Sequence, residues 1–210
     1  MRMRHRFCWI LVIFASPGLL AAQSDDLLTR IWAGVQQAQT KFTTGCGPVT
    51  ETRTSRLMVK PMVLKGKFCA EGTTRFMLEY FEPNPMRIRF NENYLNVTTD
   101  GGKTEVFDIG SGVRRAQSSF SRENSIANLK KNFTITAQES SREYEMKFVP
   151  RTGDFRRRLN YLVVKLSKKD FLPRYLEVDG KSGVNSVFAI DITSVNTKLP
   201  AETFEVYKPR

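Results

Sequence analysis

The side chains that most often do chemistry in proteins are scarce in this sequence. It has 210 residues, with one histidine, His5, and three cysteines. A histidine base, a Ser-His or Cys-His pair, or a histidine-ligated zinc would therefore have to use a residue at the extreme N-terminus. The sequence contains no GxSxG, P-loop, GxGxxG or HExxH motif. We therefore predict no catalytic residues, no metal site and no cofactor, and expect a protein that is not an enzyme.

Residues 1–22 have the pattern of a secretion signal. Three arginines precede a short apolar run at residues 7–15, and the small residues Ala21 and Ala22 suit signal peptidase. The apolar run is shorter than the roughly 20 residues that cross a bilayer. We expect cleavage near residue 22, which leaves one domain over residues 23–210. Cleavage removes His5 and three arginines from a chain whose net charge is +12. The alternative is an uncleaved membrane anchor.

Cys46 and Cys69 would remain in the exported chain, in an oxidising compartment. Lys60-Pro61 is the expected turn between the strands that carry them. A simple hairpin about this turn puts Cys69 opposite about Thr52, so a disulfide needs residues 45–48 to fold back. The sequence leaves a disulfide and two buried thiols as alternatives, and both are structural.

Hydrophobic spacing predicts a mainly β chain with two helices. Acidic residues and then apolar residues at helical spacing follow Ser24, which predicts an amphipathic helix from Ser24 to about Phe42. A second helix is predicted from Ser121 to about Lys131. Alternation of period 2 predicts about eleven antiparallel strands in the rest of the chain.

One face of the predicted sheet is apolar. On residues 74–81 and on the strand after them, alternation places on this face Phe76, Leu78, Tyr80, Met86, Ile88 and Phe90. We expect Phe107, Phe148, Tyr161 and Phe188 on the same face. A large antiparallel sheet covers such a face by closing, fully or in part, into a barrel. Either the helices fill the interior as an ordinary core, or a concavity remains that takes an apolar ligand.

Several short motifs resemble, in their order, the LolA family of periplasmic carriers of outer-membrane lipoproteins. These are Gly66-Lys67-Phe68, the run RFMLEYFEP from Arg75 to Pro83, Asp100-Gly101-Gly102-Lys103 before a strand, and LPAETFEV from Leu199 to Val206. The resemblance covers the whole chain after the leader.

The resemblance implies an unclosed antiparallel β-barrel, in which an N-terminal helix and a mid-chain helix form a lid over an apolar cavity for acyl chains. Phe76, Leu78 and Tyr80 match the family's inward positions, and Met86, Ile88 and Phe90 extend them by alternation. Ile126 and Leu129 would belong to the lid. The implied partners are acylated lipoproteins or another lipid, an inner-membrane ABC-type release complex and an outer-membrane receptor. We expect a monomer in the periplasm that binds no nucleic acid.

The chain also departs from the family. The family's Lys-Arg-Pro before this strand, whose arginine latches the lid, is replaced by residues 71–74 (EGTT), and Arg75 has the parity of the opposite face. These departures suit a relative that carries another lipid. Arg87, Arg89, Arg114, Arg115 and residues 156–158 are candidates for docking on an anionic membrane or an acidic partner. One alternative function is a lipid-sensing or interaction module of the same fold. Another is an enzyme that uses Asp100 or Asp108, although the lack of any catalytic motif argues against it.

Overall fold

The computed structural model describes residues 17–91, 93–108 and 124–207. The helices are α1 (Pro17–Lys41), α2 (Ile126–Asn132) and α3 (Gly153–Arg158), and one 3-10 turn spans Ala201–Phe204. The strands are β1 (Thr44–Ser55), β2 (Met62–Glu71), β3 (Arg75–Glu82), β4 (Met86–Phe90), β5 (Tyr94–Thr99), β6 (Thr104–Asp108), β7 (Phe133–Glu139), β8 (Glu143–Pro150), β9 (Leu159–Ser167), β10 (Pro173–Gly180), β11 (Val184–Ile190) and β12 (Ser194–Val195).

The described strands form one antiparallel sheet. Its order is β6-β5-β4-β3-β2-β1-β11-β10-β9-β8-β7, and the short strand β12 pairs with the start of β1. The chain thus forms two meanders, β1–β6 and β7–β11, which join where β1 pairs with β11. Strands β6 and β7 lie at opposite edges and do not pair with each other. This confirms the predicted fold class, a mainly β chain whose antiparallel sheet is not closed into a barrel.

Both predicted helices are present, with different starts. α1 begins at Pro17, so Ser24 lies inside the helix and does not cap it, because the leucines and alanines before it also favour helix. The hydroxyl of Ser125 caps α2 by accepting from the N–H of Asn128 at 3.2 Å. The start predicted at Ser121 lies outside the described residues. None of the helices in the described ranges is both long and apolar enough to cross a membrane.

The register predicted for the first hairpin is wrong. β1 and β2 pair Cys46 directly with Cys69, and the loop between them spans residues 56–61. The turn begins early because Ser55 accepts two hydrogen bonds, from the N–H of Leu57 to its hydroxyl and from the N–H of Met58 to its carbonyl. The two sulfur atoms are bonded at 2.09 Å, so of the two alternatives the structure has the disulfide, with no need for residues 45–48 to fold back.

The two faces of the sheet bury different clusters. On the inner face, α1 and α2 pack against β7, β8 and β9 around eight buried residues: Leu28, Ile31, Trp32, Leu129, Phe133, Met146, Phe148 and Leu166. On the outer face, the disulfide at Cys69, with Met77, is covered by Phe204 of the 3-10 turn. Residues 203–207, predicted as a short segment, therefore form a strap across the outer face.

Candidate functional site

The six residues predicted to line a cavity lie on one face of β3 and β4. The register pairs Phe76 with Phe90, Leu78 with Ile88, and Tyr80 with Met86. Successive pairs through β2, β1, β11, β10 and β9 place them on the same face as Met146, which belongs to the core beneath α1. We call this the inner face. The six side chains therefore share one face of β3 and β4, as the alternation in the sequence predicts.

The six side chains differ in how far they are covered. Tyr80 and Phe90 are buried, and the rings of Phe76 and Phe90 stack with their centroids 4.6 Å apart. Phe76, Leu78, Met86 and Ile88 remain partly exposed. The core cluster that α1 and α2 form with β7–β9 includes no described residue of β2–β6. The described helices thus cover one side of the inner face, and apolar side chains on the other side stay accessible.

The two predicted lid residues lie over the covered side. Leu129 is fully buried in the core cluster, and Ile126 packs against it. The segment is tied to α1 by the Trp32 indole N–H, which donates to the carbonyl of Asn124 at 2.9 Å, and by Lys130 and Asp25, which pair at 2.8 Å. The structure therefore places Ile126 and Leu129 with β7–β9 and away from the cluster of Phe76 and Phe90.

Two of the other aromatic residues predicted on the inner face, Tyr161 and Phe107, lie outside the core cluster. Tyr161 lies on the outer face, so its predicted position is wrong, because it pairs with Asp179 while its neighbour Leu162 occupies the inner face. Its hydroxyl donates to Glu177 at 2.8 Å, and this hydrogen bond, followed by burial, raises the pKa of Tyr161 to about 12. Phe107 has inner-face parity on β6 and is about half exposed.

A buried polar cluster lies near the middle of the inner face, where the sequence predicted apolar residues. Glu51 of β1 is 1% exposed. Its carboxylate accepts from Nε and Nη2 of Arg53 at 2.6 and 2.9 Å, and from the hydroxyl of Tyr80 at 2.5 Å. Ser186 of β11 interacts with this carboxylate and helps to lower its pKa. The cluster brings together side chains of three strands, β1, β3 and β11, from the two meanders.

The cluster keeps Glu51 ionised. Burial alone raises the pKa of a carboxyl group, but the hydrogen bonds from Arg53 and Tyr80 outweigh it and hold the pKa of Glu51 below its ordinary value. Burial, together with donation to this carboxylate, raises the pKa of Tyr80. The side chain of Arg53 is 31% exposed, and its guanidinium has N–H groups beyond the two that Glu51 uses. Alternation of period 2 along β1 puts Glu51 on the same face as Val49, so this pattern in the sequence could have predicted its inner-face position.

A separate cleft of about 350 Å³ lies at the C-terminal end of α1. The β9–β10 loop and β12 form its other walls, with Phe171 and Val195 among the lining residues. Phe171 has a φ of 56°, and its ring packs so closely on Gly34 that a Cβ there would lie 2.2 Å from a ring carbon. None of the six predicted cavity residues lines this cleft.

Comparison with known proteins shows likenesses of fold. No family model matches the chain, and no curated protein sequence matches it. A conserved protein of uncharacterised function from Thermus thermophilus has 11% identity and a TM-score of 0.50, over 90% of this chain and 95% of that one. A LolA superfamily protein from Nitrosomonas europaea has 11% identity and a TM-score of 0.43, over 84% and 96% of the two chains. The lipoprotein LppX from Mycobacterium tuberculosis has 10% identity and a TM-score of 0.45, over 84% and 99%.

The alignments with this chain cover 95 to 99% of the length of these three proteins. At such low identity the likeness concerns the fold and carries no residue roles. The predicted open antiparallel sheet is present, and the predicted resemblance to the LolA family agrees with these likenesses as one of fold alone.

Proposed function

We propose that this protein is a periplasmic carrier that shields the acyl chains of lipoproteins, or of another lipid, on the inner face of its open sheet. The observation that supports this most is the uneven cover of that face. Helices pack over β7–β9, while Phe76, Leu78, Met86 and Ile88 form a partly exposed apolar surface on β3 and β4. A solvent-accessible apolar surface on one face of an open sheet suits a flexible hydrocarbon ligand.

The energetics fit a carrier of this kind. Each methylene group removed from water contributes roughly 0.8 kcal/mol, so an acyl chain of ordinary length is held by contact area alone. The apolar side chains of β3 and β4 impose no direction on the ligand, which allows release to an acceptor. In this proposal Arg53, at the border of the apolar surface, donates to an ester or phosphate oxygen of the cargo.

The proposal also includes the route of the protein. Residues 1–22 direct export and are removed, and the carrier moves its cargo from the inner to the outer membrane. Its partners are an inner-membrane ABC-type release complex and an outer-membrane receptor, as expected from the LolA resemblance. Ile126 and Leu129 belong to the lid, which moves with α1 when cargo enters.

Native mass spectrometry of the protein, purified after export without detergent, tests the proposal. We expect a bound acylated species that is lost on unfolding, and its mass distinguishes a lipoprotein from a free lipid. The same spectrum gives the N-terminal cleavage site. A bare polypeptide that also fails to bind an added fatty-acid probe would contradict the carrier function and favour the alternative, a sensing or interaction module of the same fold.

A further inference from the structure

The loop between β1 and β2 exposes apolar side chains to an unusual degree. Leu57 is 96% exposed and Val59 is 106% exposed. Met62 and Val63, at the start of β2, are 43% and 45% exposed. Two hydrogen bonds to Ser55 define the first turn of this loop. Leucine and valine side chains presented to solvent at a hairpin tip add nothing to the core, and an exposed apolar patch of this kind indicates a surface with a partner.

The neighbouring loops at this end of the sheet are strongly basic. Ser55 pairs with Val184, which puts the β10–β11 turn next to the hairpin. The N–H of Lys181 in that turn donates to the carbonyl of Arg158 at 2.8 Å, which joins the turn to the end of α3. The three connections, at residues 56–61, 181–183 and 151–158, carry seven cations, which are Arg56, Lys60, Lys181, Arg151, Arg156, Arg157 and Arg158, against one acid, Asp154.

On the side of β3 to β6, the residues at this end of the sheet carry charges of both signs. Glu82 at the end of β3 pairs with Lys65 at 3.1 Å, and Lys103 in the next hairpin pairs with Glu105 at 3.3 Å. The excess of positive charge therefore lies on the side of β11, β10 and α3. It is next to the two most exposed apolar side chains among the described residues.

From this juxtaposition we propose that this end of the sheet docks on an anionic lipid bilayer, with Leu57 and Val59 inserted among the lipids and the cations of the three loops against the headgroups. We call residues 56–61 the tip. Apolar side chains beside a cluster of Lys and Arg are what a peripheral protein needs for the membrane interface, since insertion and attraction to anionic headgroups act together. The proposal concerns how the protein meets a membrane, and it holds whether or not the inner face carries an acyl chain.

Co-sedimentation with lipid vesicles tests the proposal on the protein purified after export. We compare vesicles of phosphatidylcholine mixed with phosphatidylglycerol with vesicles of phosphatidylcholine alone. We expect binding to the anionic vesicles that weakens at high salt, because screening removes the headgroup attraction. The double variant Leu57→Ser/Val59→Ser should lower the binding constant for these vesicles by about tenfold or more.

Two further variants make the result specific. Val195→Ser is the matched control, because Val195 is 45% exposed at the opposite end of the sheet, and it should bind vesicles like the wild type. Arg156→Ser/Arg158→Ser should reduce binding to anionic vesicles and also reduce its dependence on salt. Unfolding by urea should be unchanged in the tip variant, since both side chains are exposed.

Three outcomes would overturn the proposal. The first is a wild-type protein that does not bind anionic vesicles, and the second is a tip variant that binds them as the wild type does. The third is a dimer in size-exclusion chromatography that Leu57→Ser/Val59→Ser converts to a monomer, without vesicle binding, since the tip is then a contact between two copies. None of these outcomes depends on whether a lipid is found in the native mass spectrum.

Discussion

The hydroxyl of Tyr80 donates to the carboxylate of Glu51 across 2.5 Å, in a region where both residues are 1% exposed. This contact links β3 to β1 on the inner face, beside the accessible apolar surface. Replacement of Tyr80 by Phe removes the donor and leaves the ring in place. We expect Tyr80→Phe to lower the free energy of unfolding by about 1–2 kcal/mol, because a hydrogen bond to a buried carboxylate is lost.

Urea unfolding measures this difference, with Tyr161→Phe as the control. Tyr161 donates to Glu177 at 2.8 Å on the outer face, where burial is lower, so its loss should be smaller. If the free energy of unfolding falls equally in the two variants, burial of the Glu51 cluster does not strengthen the hydrogen bond from Tyr80.

The ionised state of Glu51 predicts a dependence of stability on pH. Because its pKa is lower in the folded protein than in the unfolded chain, the cluster stabilises the fold above the ordinary Glu value of about 4.3. This contribution is lost as the pH falls through the folded pKa. We expect the free energy of unfolding to fall steeply below about pH 5 in the wild type and less steeply in Glu51→Gln.

Glu51→Gln should also cost about 2 kcal/mol at neutral pH, because Arg53 loses a charged partner in a largely buried position. Urea titrations at a series of pH values separate the two effects. Glu79 and Glu177 also have lowered pKa values, so the comparison uses the difference between the two curves. Parallel curves would rule out Glu51 as a source of the acid sensitivity.

The disulfide should contribute to stability from the outer face. Cys46→Ala/Cys69→Ala removes a cross-link that closes a loop with a sequence separation of 23 residues. We expect the free energy of unfolding to fall by about 3 kcal/mol in the chain-entropy description. A reducing agent should lower the stability of the wild type to a similar degree and leave the double variant unchanged. A reductant effect on the double variant would contradict this assignment.

The proposed acyl surface is tested by a charge on the inner face. Leu78→Glu should weaken binding of a fluorescent fatty-acid probe by about tenfold or more. Contact with the acyl chain of the probe would remove water from the new carboxylate, and this desolvation is unfavourable. Arg87→Glu is the control: Arg87 has outer-face parity on β4 and pairs there with Glu79. Circular dichroism checks that both variants fold. Equal effects on probe affinity would refute the assignment of the acyl site to the inner face.

Much of the sheet is predictable from alternation, because a shift of one residue would reverse every side chain of a strand. This holds for Phe76, Leu78 and Tyr80 on β3 and for their partners on β4. The register of the first hairpin is not predictable in the same way. Pro61 indicates a turn at its own position, whereas the hydroxyl and carbonyl of Ser55 start the turn earlier.

The polar cluster could not be assembled from the sequence. Its members Glu51, Tyr80 and Ser186 come from strands that become neighbours through the topology of the sheet, and no local spacing relates them. The face of Tyr161 could not be predicted either, because its parity depends on the register of Leu162 with Phe148. The exposure of Leu57 likewise depends on how far the loop extends beyond its neighbours.

The pairing of β1 with β11 has a consequence for how the chain folds. Each meander is made of hairpins between consecutive strands, whereas this pairing joins residues from the two ends of the chain, such as Glu51 and Phe188. Contacts so far apart in sequence close large loops and form slowly. The two meanders should therefore form first and meet afterwards at β1 and β11. Glu51 is then enclosed, with Ser186 brought to its carboxylate, in the step that completes the sheet.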